Sequence, residues 1–158
     1  MSTPSSTTTA PSGPGRIDPR GPQLGAAITS VVLAVVLLTA PGAVATVLLA
    51  AQTLVFAVGA LVGVHATPQA WVFRRLVRPH LGAPRETEDP APPRFAQAVG
   101  LAFSAVGLLA LLAGATALGL VAVGAALCAA LLNAAFGLCL GCELYLTFKR
   151  ITAQRLTA

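Results

Sequence analysis

Of the 158 residues, 56% are hydrophobic and only 9% charged, and the mean hydropathy is +0.81, far more apolar than a water-soluble domain of this length. Ten Lys and Arg against five Asp and Glu give a net charge of +5, but no nucleic-acid-binding motif accompanies the basic residues, which flank apolar segments instead. Three cysteines, an odd number and all in the C-terminal half, exclude a secreted disulfide framework.

Residues 1–23 are rich in Ser, Thr, Pro and Gly, which predicts a disordered tail without a cleavable signal sequence. Segments 24–40 and 44–64 are uncharged and separated only by Pro41-Gly42, so they read as two spans joined in a helical hairpin. In the loop that follows, Thr67-Pro68 is a cap followed by proline at the first helical position, and Pro79 closes the segment. A short interfacial helix is expected over 68–78, with Trp71 at headgroup depth and Arg74, Arg75 and Arg78 near lipid phosphates. The rival reading of those arginines is an anion site for a substrate. Residues 79–94 are a proline-rich linker. From 95 to 148 the only charge is Glu143, which is too long a stretch for one crossing of about 20 residues. A turn near Gly114 divides it into spans at 95–113 and 118–140, leaving 149–158 as a C-terminal tail.

The fold class expected is therefore an all-α membrane protein with four transmembrane helices and the membrane domain over 24–148. All ten Lys and Arg then lie in the two tails and the central loop. By the positive-inside rule those three segments are cytoplasmic, in a multi-pass protein of the inner membrane.

Self-comparison shows an internal likeness. Asp18-Pro19 precedes the first hairpin and Asp89-Pro90 the second, while Gly59 and Gly63 near the end of the second span match Gly137 and Gly141 near the end of the fourth. Two hairpins that both start from the cytoplasm are parallel repeats. The glycine alignment sets Leu61 opposite Cys139 and His65 opposite Glu143. It also predicts that the second and fourth spans pack through those glycines, bringing His65 to the cysteines.

Chemistry concentrates in Asn133-Ala-Ala-Phe-Gly-Leu-Cys139-Leu-Gly-Cys142-Glu143. Cysteines three apart share a helix face, close enough to close as a disulfide. Three readings stay open: small packing residues, a redox or sulfur-transfer pair, and a metal site, for which one chain supplies only two thiols plus His65 and Glu143. On a fourth span that runs on past the membrane boundary, the pair sits near a helix C-terminus beside Glu143, which disfavours a thiolate. A helix broken at Gly137 and Gly141 frees the motif. Cys128 is a packing residue. Asn133 is expected to hydrogen-bond a neighbouring helix, and Glu143 and His65 are the candidates for moving protons.

The stretches Ile17-Asp-Pro-Arg-Gly-Pro22, Pro93-Arg-Phe-Ala-Gln97 and Asn133 to Glu143 resemble a bacterial family of four-span membrane proteins designated domain of unknown function 4395, over about 17–148. The resemblance implies an actinobacterial-type inner-membrane protein whose relatives are encoded beside thioredoxin-like and sulfurtransferase proteins, and hence thiol or sulfur chemistry. It supplies no catalytic residues, and no cofactor is implied. The leading expectation is a cytoplasmic-facing dithiol serving a thioredoxin-like or sulfurtransferase partner, without independent enzymatic activity. The alternatives are a small transporter or channel subunit, or a passive anchor. Beyond the lipid bilayer, Gly- and Ala-rich faces also suit a homo-oligomer.

Overall fold

The architecture is taken from a computed structural model, which describes residues 16–84 and 86–156; most of the expected N-terminal tail, 1–15, lies outside the described residues. Among the described residues six α-helices follow one another: α1 (Arg20–Thr39), α2 (Ala43–Leu61), α3 (Pro68–Val72), α4 (Ala91–Leu112), α5 (Thr116–Phe136) and α6 (Leu140–Leu156). Helices α1, α2, α4 and α5 are each long and apolar enough to cross a bilayer.

Their ends follow from local chemistry, and two starts fall about four residues before the hydropathy boundary. Asp18 Oδ1 accepts the Arg20 N–H at 3.1 Å and Asp89 Oδ1 accepts the Ala91 N–H at 2.8 Å, so each Asp-Pro pair starts a helix outside the apolar run. The expected linker therefore ends where α4 begins, at Ala91. Pro41 holds Ala40 extended (φ −69°, ψ 146°) and stops α1. Gly63 (φ 132°) and Gly137 (φ 68°) stop the segments that contain α2 and α5 in backbone conformations that a side chain resists. The expected spans 44–64 and 118–140 accordingly end early, at Leu61 and Phe136.

The four long helices form a ring in which α1 packs on α2 and α5, and α4 packs on the same two. The second and fourth spans, α2 and α5, are not a packed pair, which overturns the expected glycine-mediated contact between them. Glycines serve other pairs: a Cβ at Gly107 would stand 2.9 Å from Val123 Cγ2 on α5, and one at Gly100 would stand 2.6 Å from the Phe56 ring on α2. Small residues on α4 thus let it approach both neighbours. The core, Leu33, Val36, Leu49, Leu111 and Val123, fills the half of the ring near the two short turns. Outward faces carry Leu38, Leu54 and Val121, each more than two-thirds exposed, the inverse of a soluble bundle and suited to lipid.

At the opposite, basic end, the segments preceding the two hairpins meet. Ile17 and Glu88 exchange both backbone hydrogen bonds at 2.9 Å, and the Arg16 guanidinium donates to Thr87 Oγ1 at 2.7 Å and to the Thr87 carbonyl. Helices are also capped across hairpins: Arg94 donates to the Ala60 and Leu61 carbonyls at the end of α2, both at 2.7 Å, and Gln23 Nε2 donates to the Ala134 carbonyl near the end of α5 at 3.2 Å.

Candidate functional site

Gly137 ends α5 rather than letting it run on. The Gly137 N–H donates to Asn133 O at 2.9 Å and the Leu138 N–H to Leu132 O at 3.3 Å. A Cβ at Gly137 would meet no atom within 4 Å, so the glycine is there for its positive φ and not for space. Three residues later, at Leu140, the chain starts α6. Cys139 immediately precedes it: its Sγ accepts the Cys142 N–H at 3.4 Å, and its carbonyl accepts the Glu143 N–H at 3.0 Å. The sulfur stands where a Ser or Thr oxygen stands in an ordinary N-cap. Thr67 does the same at α3, its Oγ1 accepting the Ala70 N–H at 3.3 Å.

Cys139 and Cys142 are joined as a disulfide, with Cα atoms 5.2 Å apart, and both lie outside the four spans. The expected placement at a helix C-terminus is therefore corrected. The pair occupies the first turn of a 17-residue helix, where unpaired N–H groups and the helix dipole favour negative charge on sulfur. Gly137 ends a helix as Gly63 does, and Cys139 caps the next as Thr67 does.

Gly141 does not break the helix as Gly137 does. It seats α6 on α4, since a Cβ there would stand 2.6 Å from both Cα and Cβ of Ala96. Four residues on, the Tyr145 ring meets Phe95 with centroids 5.7 Å apart. Neither Ala96 nor Phe95 stood out as a site residue in the sequence, although both lie in the Pro93–Gln97 stretch that carries the family resemblance.

Two cavities open at the basic end. One, of about 300 Å³, is lined by Cys139 and Asn133 and continues among α1, α4 and α5 past Ala129 to Ala125. The other, of about 400 Å³, is lined by Arg16, Asp18, His65, Arg74 and Arg78. Pro22, Gly25, Thr29 and Gln97 belong to both linings. The amide oxygens of Gln69 and Gln97 are buried without a hydrogen-bond donor. Asp18 is held below the ordinary carboxylate range, first by its hydrogen bonds to the Arg20 guanidinium, against the opposing effect of burial, with Arg78 adding to the lowering.

His65 and Cys139 line different cavities, so the expected meeting of His65 with the cysteines is not found. Glu143 is exposed in the first turn of α6. Asn133 borders the cavity, and its backbone carbonyl closes α5. Gly59 faces Gln97 of α4, and Gly63 folds under the His65 ring. Trp71, Arg74, Arg75 and Arg78 are exposed on and after α3, while Phe73 is buried against Gly21. Cys128 is a free, exposed thiol on α5. Among the described residues, no three His, Cys, Asp or Glu are grouped to hold a metal ion.

Four apolar spans, lipid-facing Leu and Val, and charge confined to one end define a multi-pass integral membrane protein in contact with the lipid bilayer. The chain belongs to the family described as a domain of unknown function (DUF4395), whose model matches residues 17–150. No curated protein and no solved structure matches it.

Proposed function

We propose that the protein is a membrane-bound thiol–disulfide component, in which Cys139 and Cys142 exchange electrons or sulfur with a soluble thioredoxin-like or sulfurtransferase partner at the cytoplasmic face. The observation that carries this reading is the position of the pair: a disulfide in the first turn of α6, with Cys139 Sγ as the N-cap. A thiolate held there is stabilised by the helix, which makes it both an accessible nucleophile and a good leaving group. A partner thiolate attacks Cys142 and expels Cys139 as the stabilised thiolate; the partner's second thiol then resolves the mixed disulfide, leaving the partner oxidised and the pair reduced. Glu143, exposed beside the pair in the first turn of α6, takes the proton role. The exposed Arg74, Arg75 and Arg78 lie at the bilayer interface with Trp71 and offer an acidic partner its docking surface.

The arrangement as two parallel-repeat hairpins is part of the proposal. It is supported by equivalent residues meeting each other, Arg16 with Thr87 and Ile17 with Glu88, each 71 apart, and by α3 folding onto α1 as α6 folds onto α4. A solute path is less favoured, because Leu33, Val36, Leu49 and Val123 close the half of the ring beyond the cavities.

The test runs the first step in reverse: under oxidising conditions a Cys139→Ser variant in a Cys128→Ala background should capture a partner disulfide through Cys142 as a mixed disulfide, with no Cys139 thiol to displace it. Maleimide labelling in intact membranes should reach the pair only after reduction, and from the cytosolic side. A pair that never labels, even when reduced, sinks the proposal.

A further inference from the structure

A disulfide that oxidises partners repeatedly must be re-formed by passing the dithiol's electrons on, and the surroundings of Cys139 narrow what receives them. Cys139, not Cys142, lines the 300 Å³ cavity. The lining includes both Asn133 and Ala125 of α5, eight residues apart and so about 12 Å along the helix axis. The slot therefore leads from the disulfide at the membrane boundary into the depth of the spans. Among the described residues no charged side chain borders it; its walls are the rings of Phe56 and Phe103 and the small faces of Gly100 and Ala129. Such a slot excludes charged oxidants and peptide disulfides, and admits a flat apolar molecule delivered from the bilayer. Its few polar groups are the Asn133 amide, the Thr29 hydroxyl and Gln97, whose oxygen is packed toward Gly59 of α2.

On the thiol–disulfide reading above, we propose that this cavity is a quinone site and that a lipid-soluble quinone reoxidises the Cys139–Cys142 dithiol. The two S–H bonds break and one S–S bond forms, so the pair gives up two electrons and two protons. The quinone takes both electrons and both protons and leaves as the quinol, with no other reactant required. Cys139 faces the ring while Cys142 is left for the protein partner. The Asn133 amide, able to donate and to accept, serves either oxidation state.

The test uses the full chain with Cys128→Ala, purified, reduced and freed of reductant, in bilayer nanodiscs. The probe is a short-tailed benzoquinone substituted at every ring position, because open positions add thiols directly. The readouts are quinol formation with return of the disulfide and, separately, reaction of the reduced pair with glutathione disulfide. The proposal expects stoichiometric quinol formation that Ala129→Phe slows by about tenfold or more and Ala129→Leu by less, with glutathione disulfide reacting normally in both variants and so reporting an intact fold. If the pair reacts with glutathione disulfide but never reduces the quinone, the quinone site is overturned, the cavity holds a lipid chain, and the thiol reading stands. If the pair reacts with neither, the thiol reading falls and takes the quinone site with it. Quinol formed equally fast by wild type and both Ala129 variants places the reaction elsewhere and overturns the proposal.

Discussion

At the scale of single residues, two glycines four apart have different roles. Gly137 needs positive φ and has empty space around its missing side chain, so Gly137→Ala should cost about 1 kcal/mol through the backbone alone. Denaturant unfolding should show Gly137→Asn as the milder change, since Asn tolerates that conformation. Gly141 sits in ordinary helix but touches Ala96, so Gly141→Ala should cost about 1–3 kcal/mol. It should also speed maleimide labelling of the reduced pair as α6 lifts from α4. Ala96→Gly should restore only part of that loss, because the Ala96 Cα is in the clash as well as its Cβ. Asp18 carries a pH dependence. Its folded carboxyl titrates below the ordinary 3.8 because Arg20 holds the ionised form, so its stabilising contribution is present above that value and fades as pH falls through the lower folded one. Thermal unfolding of Asp18→Asn should therefore lie below wild type at neutral pH, and the gap should narrow in strong acid.

At the scale of elements, helix ends are satisfied by the opposite hairpin. Arg94 at the start of α4 holds two carbonyls at the end of α2, so Arg94→Ala should destabilise by about 1–2 kcal/mol. Arg94→Lys should recover only part, because an ammonium cannot span two carbonyls as a guanidinium fork does. Chemical unfolding of the two variants beside wild type checks the order. The helices themselves were legible: four apolar runs, Pro41 as a stop, Thr67-Pro68 as a start. Their ends were less so, because hydropathy registers where the apolar run begins, whereas α1 and α4 begin at the Asp-Pro caps outside it. The break at Gly137 was visible as a possibility only, since a glycine within an apolar run costs a helix about 1 kcal/mol and stops it only when something else favours stopping.

At the scale of the whole molecule, the ring places the ends of α1, α2, α4 and α5 that carry charge on one side and the short turns on the other. Single cysteines introduced at Gly42 and Ala115, in a background lacking the three native cysteines, should label from the side opposite to one at Gln154. Labelling of all three from the same side overturns the four-span topology. The basic end is also where both cavities open, so charge, the disulfide and open volume share one end of the bundle, while the other end is packed.

Hydropathy, charge placement and the Asp-Pro, Pro-Gly and Gly signals by themselves determined the membrane class, the number of spans, the basic end and the stretch from Asn133 to Glu143 as the place to look. These are local properties, written within about one helix length of sequence. Only the tertiary structure decided that α2 and α5 stand apart, that His65 and Cys139 line different cavities, and that the cysteines begin a helix instead of ending one. Each depends on residues distant in the chain coming together, Gly141 on Ala96 and Tyr145 on Phe95 above all. No periodicity within α5 or α6 encodes that meeting, and it is what turns the chain at Gly137 and sets Cys139 against the cavity.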